Sequence, residues 1–306
     1  MKDNKMPSHH GVKEEPKGSY PNETMKLLLE RGSCRNFVNK KIPPQVMDMV
    51  LRAGVHAATG GNLQPYSIIK IERAATNRKL AKMCHQPFIG QAPVNLLFCL
   101  DWRRLQRWAK LEDAPFNANN SFRHFWISFQ DTIICAQNIC TAADALGLGS
   151  VYIGTVMEFF PSLKRMFRLP KGVFPVVLLT VGYPKARPKP RKKLGTKVVV
   201  HNERYADLKD SELEKAFYAK YPDVRIELSA ERLKRFKDVC VNVGGEKFAQ
   251  RCVARAQKQG YISPVQRYFG LHYVADYMSQ GNPKFMKQFE AFGFGWFREA
   301  KLKRAK

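Results

Sequence analysis

The chain has 306 residues, 44% of them hydrophobic and 25% charged, a globular balance that excludes wholesale disorder, collagen-like repeats and a coiled-coil rod. The 52 Lys and Arg against 26 Asp and Glu leave a net charge of +26, a field that attracts phosphates on nucleotides, nucleic acids or lipids. The excess is spread along the chain without a basic run of the kind that marks a nucleic-acid arm, so nucleic acid is not an expected partner.

Residues 1–22 are polar and rich in Lys, His, Glu and Pro, which predicts a flexible extension without a secretory signal. Met25, Leu27, Leu28 and Leu29 predict an amphipathic helix that ends before Gly32. Pro43 and Pro44 open a second, with Val46, Met47, Val50, Leu51 and Val55 near helical spacing, and Gly60 and Gly61 end that pattern. Tyr66–Ile71 reads as a strand, Thr76–Cys84 as a helix and Val94–Leu100 as a strand introduced by Pro93. Residues 102–122 commit to neither period. A long helix is expected over Phe122–Leu146, stopped by Gly147 and Gly149. A short helix around Pro161–Phe167 precedes Phe174–Val181, whose continuous apolar run predicts a strand buried on both faces.

After Tyr205 the character becomes helical with polar breaks, at about 211–221, 229–242, 245–259, 264–279 and 283–300. This predicts an α+β fold with a helical C-terminal extension, divided into residues 1–22, 23–206 and 207–306. The apolar runs are far shorter than the roughly 20 residues of a spanning helix, so no membrane is expected. Seven cysteines without a CxxC pair predict reduced thiols in the cytoplasm and no metal site.

Four segments carry chemistry, and each alone also has a plain structural reading. Arg31-Gly32-Ser33-Cys34-Arg35 places two guanidinium groups and a hydroxyl in one turn, suited to a phosphate or an electron-rich heteroaromatic edge. Thr59-Gly60-Gly61-Asn62-Leu63-Gln64-Pro65 pairs glycines that permit close backbone approach with amides that donate and accept. Leu146–Gly154 is glycine-rich but lacks the spacing of a dinucleotide fingerprint. Gly182-Tyr183-Pro184 leads into Lys185–Lys193, an extended loop with cations spaced between prolines. Cys34 is either a structural thiol or one activated by its arginine neighbours. His124, Phe125 and Trp126 face either the core or a substrate.

In order and spacing these segments resemble the FMN-dependent nitroreductase family, over about residues 23–206. The matching pieces are the R-x-S-x-R turn, the G-x-N-x-Q-P segment, the G-L-G after a long helix, and the G-Y-P strand end followed by K-P-R. The resemblance implies a mixed, mainly antiparallel sheet flanked by helices, in a homodimer with the long helix at its interface. It implies that Arg31, Gly32 and Ser33 meet the phosphate and ribityl end of FMN, with Arg35 toward N1 and O2. Lys189 and Arg191 would close on the phosphate. Thr59, Gly60 and Asn62, with Gln64 beside them, would line the ring from the other subunit. Tyr152, Ile153 and Gly154 would lie along the isoalloxazine, with the Gly154 N–H near N5 as the catalytic contact. Gly32 and Ile153 depart from the family's more common residues at their positions.

The implied activity is an oxidoreductase in which NADH or NADPH reduces FMN and a nitroaromatic, quinone or similar small-molecule acceptor reoxidises it in ping-pong fashion. A cation near N1 favours the negatively charged reduced flavin. The alternatives are a flavin- or nucleic-acid-binding protein without turnover, and a reductive dehalogenase or flavin-fragmenting enzyme on the same fold. For residues 207–306 two readings stand: a bundle docked on the core, or a lid or docking site for an acidic electron-donor protein.

Overall fold

The computed structural model describes residues 20–299. Most of the expected N-terminal extension and the basic stretch Lys301–Lys306 lie outside them. In chain order the elements are α1 (Glu23–Glu30), α2 (Pro44–Val55), β1 (Tyr66–Ile71), α3 (Ala74–Met83), α4 (Phe88–Gln91), β2 (Val94–Asp101), α5 (Arg103–Leu111), α6 (Phe122–Ala145), β3 (Gly149–Ile153), α7 (Phe160–Phe167) and β4 (Val173–Gly182). Then come α8 (Thr196–Val199), α9 (Asp210–Lys220), α10 (Ala230–Gln259), α11 (Pro264–Arg267) and α12 (Asn282–Ala291).

Local chemistry sets several boundaries. Asn22 caps α1, its Oδ1 accepting from the Met25 N–H at 3.0 Å. Pro44 starts α2, where its missing N–H does no harm. Ser121 caps α6. The strands form a sheet of order β1-β2-β4-β3, and every pairing among the described residues is antiparallel. The two central strands, β2 and β4, are buried along their whole length, which is why their apolar runs do not alternate. The long helix α6 packs on the sheet and against α2.

The chain forms two compact units, one of residues 21–190 with 283–299 and one of Arg191–Asn282 with Tyr20. Residues 283–299 thus join the sheet unit instead of the rest of the expected extension, and the reason is aromatic. In the sheet unit, Phe174 of β4 stacks on Phe289 at 4.6 Å and meets Phe292 edge-on at 5.1 Å. Phe292 and Phe294 are each 1% exposed. The Gly172 N–H donates to the Phe292 carbonyl at 2.7 Å, and the Gly295 N–H to that of Asn119 at 3.1 Å. Gly293 in a left-handed conformation, φ 85°, ends this helical stretch well short of residue 300.

In the second unit, α10 is broken at Gly245, with φ 78° and ψ 176°. A straight helix would set Lys237 and Glu246 about 13 Å apart along its axis. They form an ion pair at 3.6 Å instead, and Phe236, Cys240, Phe248, Ala249 and Cys252 share one small core. The two arms therefore fold back on each other, as the expected break between residues 242 and 245 requires. The helix expected over 264–279 stops early: it is α-helical through Arg267, continues as one π turn over Tyr268–His272, and leaves helical backbone at Tyr273, φ -99° and ψ 57°.

A test of the sheet packing lies at Gly182. A Cβ there would stand 2.7 Å from Pro93 Cδ and 2.9 Å from Phe37 Cδ1. Gly182→Ala is expected to lower stability by about 1–3 kcal/mol through overpacking, measured by urea unfolding. An unchanged midpoint would mean that Pro93 and the Phe37 ring both give way freely.

Candidate functional site

The Arg31–Arg35 turn leaves the end of α1 and lies across the start of β3. The Cys34 N–H donates to the Ser150 carbonyl at 2.9 Å. Gly149 leaves room for this crossing, since a Cβ there would stand 2.7 Å from Cys34 Cβ. Cys34 is buried, and burial pushes its thiol up. That favours the structural reading of this cysteine over the activated one.

The Lys185–Pro190 loop covers the same turn. Its Lys185 N–H donates to the Asn36 carbonyl at 3.0 Å. At Gly32 a Cβ would stand 3.0 Å from the Pro188 carbonyl oxygen and 3.1 Å from that of Lys189. This accounts for glycine at a position where a larger residue was the family expectation: the loop occupies the space a side chain would need. Ser33, Arg35 and Lys189 are all exposed around this junction.

Arg31 is less free than a bare phosphate ligand. Its Nε donates to Asp144 Oδ2 at 3.0 Å and its Nη2 to Cys140 Sγ at 2.9 Å. Arg187 reaches the same carboxylate at 3.7 Å and donates to the Leu148 carbonyl at 3.2 Å, while Cys140 Sγ lies 3.0 Å from Ser150 Oγ. Burial pushes the Asp144 carboxyl above the ordinary range, against the pull of Arg31 and Arg187. Asp144 and Arg187 escaped the sequence reading. A hint was present: Asp144 sits in the last turn of α6, where the helix dipole disfavours an acid unless a cation answers it.

From this turn β3 runs to the third candidate segment. At about 3.3 Å per residue, Gly154 lies about 13 Å along from Ser150. Tyr152 is half-buried, its hydroxyl donating to Gln137 Oε1 at 3.4 Å, and burial raises its phenol well above the ordinary range. The Ile153 side chain is 1% exposed and belongs to the core, so only its backbone is available to a ligand. Gly154 is exposed, and the place where its Cβ would stand has nothing within 4 Å. It opens a short 3-10 helix over Gly154–Phe159, so its N–H has no partner within that helix.

The Thr59–Gln64 segment is held elsewhere. Its Gly60 N–H donates to both carboxylate oxygens of Asp131, at 3.1 and 3.2 Å. Asp131 and Asp144 both lie on α6, 13 residues apart, or about 20 Å along the axis. In one chain, then, the cationic turn and the Gly60–Asn62 segment sit at separate stations of that helix. Asn62 is exposed. The Gln64 amide instead serves its own chain, its Nε2 donating to the Val55 carbonyl at 2.9 Å and the Tyr66 hydroxyl at 3.4 Å. Thr59 Oγ1 accepts from the Gln64 N–H at 3.4 Å. Arg191 is exposed and opens the second compact unit.

Of the aromatic start of α6, Phe125 joins the core through Phe289 and Phe294. His124 bonds Ser121 Oγ at 2.8 Å and meets Trp102 edge-on, while Trp126 is exposed. No group of His, Cys, Asp and Glu among the described residues could hold a metal ion.

The profile of the nitroreductase family matches residues 28–183. An FMN reductase (NAD(P)H) of Bacillus subtilis is 31% identical over 186 residues, covering 60% of this chain and 75% of that protein. An oxygen-insensitive NADPH nitroreductase of Salmonella typhimurium is 30% identical over 186 residues with the same two coverages, 60% and 75%. Among solved structures, the NADPH:FMN oxidoreductase from Vibrio harveyi complexed with NAD+ superposes with a TM-score of 0.67 at 21% identity, covering 90% of this chain and 99% of that one. That last likeness is one of fold.

Proposed function

The chain belongs to the nitroreductase family, and from that premise we propose that it is an FMN-dependent oxidoreductase driven by NADH or NADPH. Its acceptors are electron-poor small molecules such as nitroaromatics or quinones, reduced in alternating half-reactions at one pocket. The observation that carries this reading is the layout of β3: a cationic turn crosses its start, and an open glycine stands at its end.

The residues present fit FMN. Ser33, Arg35 and Lys189 stand exposed where the turn and the basic loop meet, and they supply charge-assisted bonds for a phosphate. Arg31 reaches the same end while anchored by Asp144. The backbone at Gly154 offers an uncrowded strip for a flat ring and an N–H for its N5 edge. Bound FMN would supply the hydride-accepting and hydride-donating chemistry. The side chains bind and orient, and none is needed as a nucleophile.

The site is completed in a homodimer. Phe122, Trp126, Phe129 and Ile134 leave one face of α6 apolar and exposed, more than a lone helix normally shows to water. A second copy covering that face would bring Thr59, Gly60 and Asn62 of one chain toward the flavin of the other. Seven free cysteines fit a reducing cytoplasm.

The test is an absorption spectrum of the full-length protein followed by anaerobic reduction. A flavin spectrum that NADH or NADPH bleaches, and that a nitroaromatic or quinone restores, is the expected result. A protein that takes up no FMN refutes the reading. FMN that only an acidic protein donor reduces would replace the nicotinamide.

A further inference from the structure

Three of the four residues between Gly61 and Gln64 have left-handed backbones: Gly61 at φ 60°, Asn62 at 53° and Gln64 at 48°. Two of these carry side chains, so the conformation is strained, and it persists only because its surroundings over-determine it. Charged anchors bracket the strained stretch on both sides. Before it, the Gly60 N–H is held by Asp131, which is 4% exposed, and a side chain at Gly60 is barred by Ile127 Cγ2 at 2.9 Å from its Cβ position. After it, Arg104 Nη2 donates to the Gln64 carbonyl at 2.6 Å and the Tyr66 carbonyl at 2.9 Å.

Each anchor is costly or elaborate for a purely structural part. A buried carboxylate whose hydrogen bonds come from a single backbone N–H is expensive, and an apolar residue would fill that place on α6 more cheaply. Arg104 is itself aimed by other groups. Its Nη1 donates to Ser67 Oγ at 3.2 Å and to Asp101 Oδ2 at 3.4 Å, and Ser67 Oγ donates to the same carboxylate. Asp101 Oδ1 also accepts the Arg104 backbone N–H at 3.1 Å.

We infer that Asp131 and Arg104 are positioning residues that preset the Thr59–Gln64 segment for the flavin before it binds. This rests on the FMN reading above. Asp131 acts as a hydrogen-bond acceptor at a fixed place, and its role requires an oxygen there. Arg104 acts through its fork: Nη2 serves both carbonyls while Nη1 is held by Ser67 and Asp101, two tasks that a single ammonium cannot perform together.

The experiment dilutes the full-length holoenzyme and follows free FMN fluorescence to obtain the dissociation constant, with circular dichroism and a thermal melt of each variant. Asp131→Leu and Arg104→Met are each expected to raise the dissociation constant at least tenfold while keeping a cooperative melt. Asp131→Asn, which keeps an oxygen for the Gly60 N–H, is expected to stay within threefold of the parent, whereas Arg104→Lys falls with Arg104→Met. Asp131→Leu binding FMN like the parent, or Asp131→Asn losing as much as Asp131→Leu, overturns the acceptor role. If Asp131→Leu does not fold, the two Arg104 variants decide: parent-like affinity in both overturns the proposal. A parent protein that binds no FMN fails the earlier reading instead, so the two failures are distinct.

Discussion

Ending the chain at Asn282 is expected to abolish the cooperative fold of the sheet unit, although residues 283–299 are remote in sequence from every strand. Phe292 and Phe294 are buried to the same degree as the strand residues they touch. Phe174, at the start of the central strand β4, loses Phe289, Phe292 and Phe294 together when the segment goes. Deleting one buried Phe side chain costs about 3–5 kcal/mol, and a whole domain is stable by about 5–15 kcal/mol. Removing several at once exceeds what remains. The Gly172 N–H, which donates to Phe292, also loses its acceptor. The measurement is solubility and a thermal melt of the truncated chain beside the full one. A soluble truncation that melts cooperatively with its full complement of FMN would show that the aromatic cluster is dispensable. The expected outcome gives the end of the C-terminal extension a structural role and confines the donor-docking reading to residues 207–282.

That result bears on what can be read from a sequence. The central strands were legible because burial on both faces writes an unbroken apolar run into Phe174–Val181. The helices α1, α2 and α6 were legible from apolar residues at helical spacing, with Pro43 and Pro44 marking the start of α2. β3 was not: it has five residues, begins Gly-Ser, and its place beside β4 depends on partners far along the chain. Nor was the docking of residues 283–299 on the sheet, since aromatic helices carry no label for the surface they cover. The same divide runs through the site. The cations of the turn and loop were visible as residue types. Asp144, which holds Arg31 of the turn, and Asp131, which holds the Gly60 N–H, lie more than 70 residues from those partners on a helix whose stripe otherwise reads as ordinary packing. Gln64 shows the converse: its motif position suggests a ligand, and only the structure shows its Nε2 donating to Val55 and Tyr66 of its own chain.

Arg31→Ala is expected to damage both stability and cofactor binding, and a double variant separates the two. The Asp144 carboxylate is only 5% exposed and the Arg31 side chain 23%. Removing one partner of a buried pair costs about 3–5 kcal/mol because the other charge is left in a poor solvent. The lower end applies here, since Arg187 still stands 3.7 Å from Asp144. FMN affinity should fall about tenfold or more, because a charge-assisted bond to a phosphate is worth about 1.5–3 kcal/mol. Part of that fall could come from a loosened turn rather than a missing contact. In Arg31→Ala with Asp144→Ala no buried charge is orphaned, so most of the stability lost in the single variant should return, as read by urea unfolding of the FMN-free protein. FMN titration of the same double variant then isolates the contact. Affinity that stays low while stability recovers assigns Arg31 to the cofactor. Affinity that recovers with stability would reduce Arg31 to a brace between α1 and α6, and would leave Ser33, Arg35 and Lys189 as the phosphate-binding set.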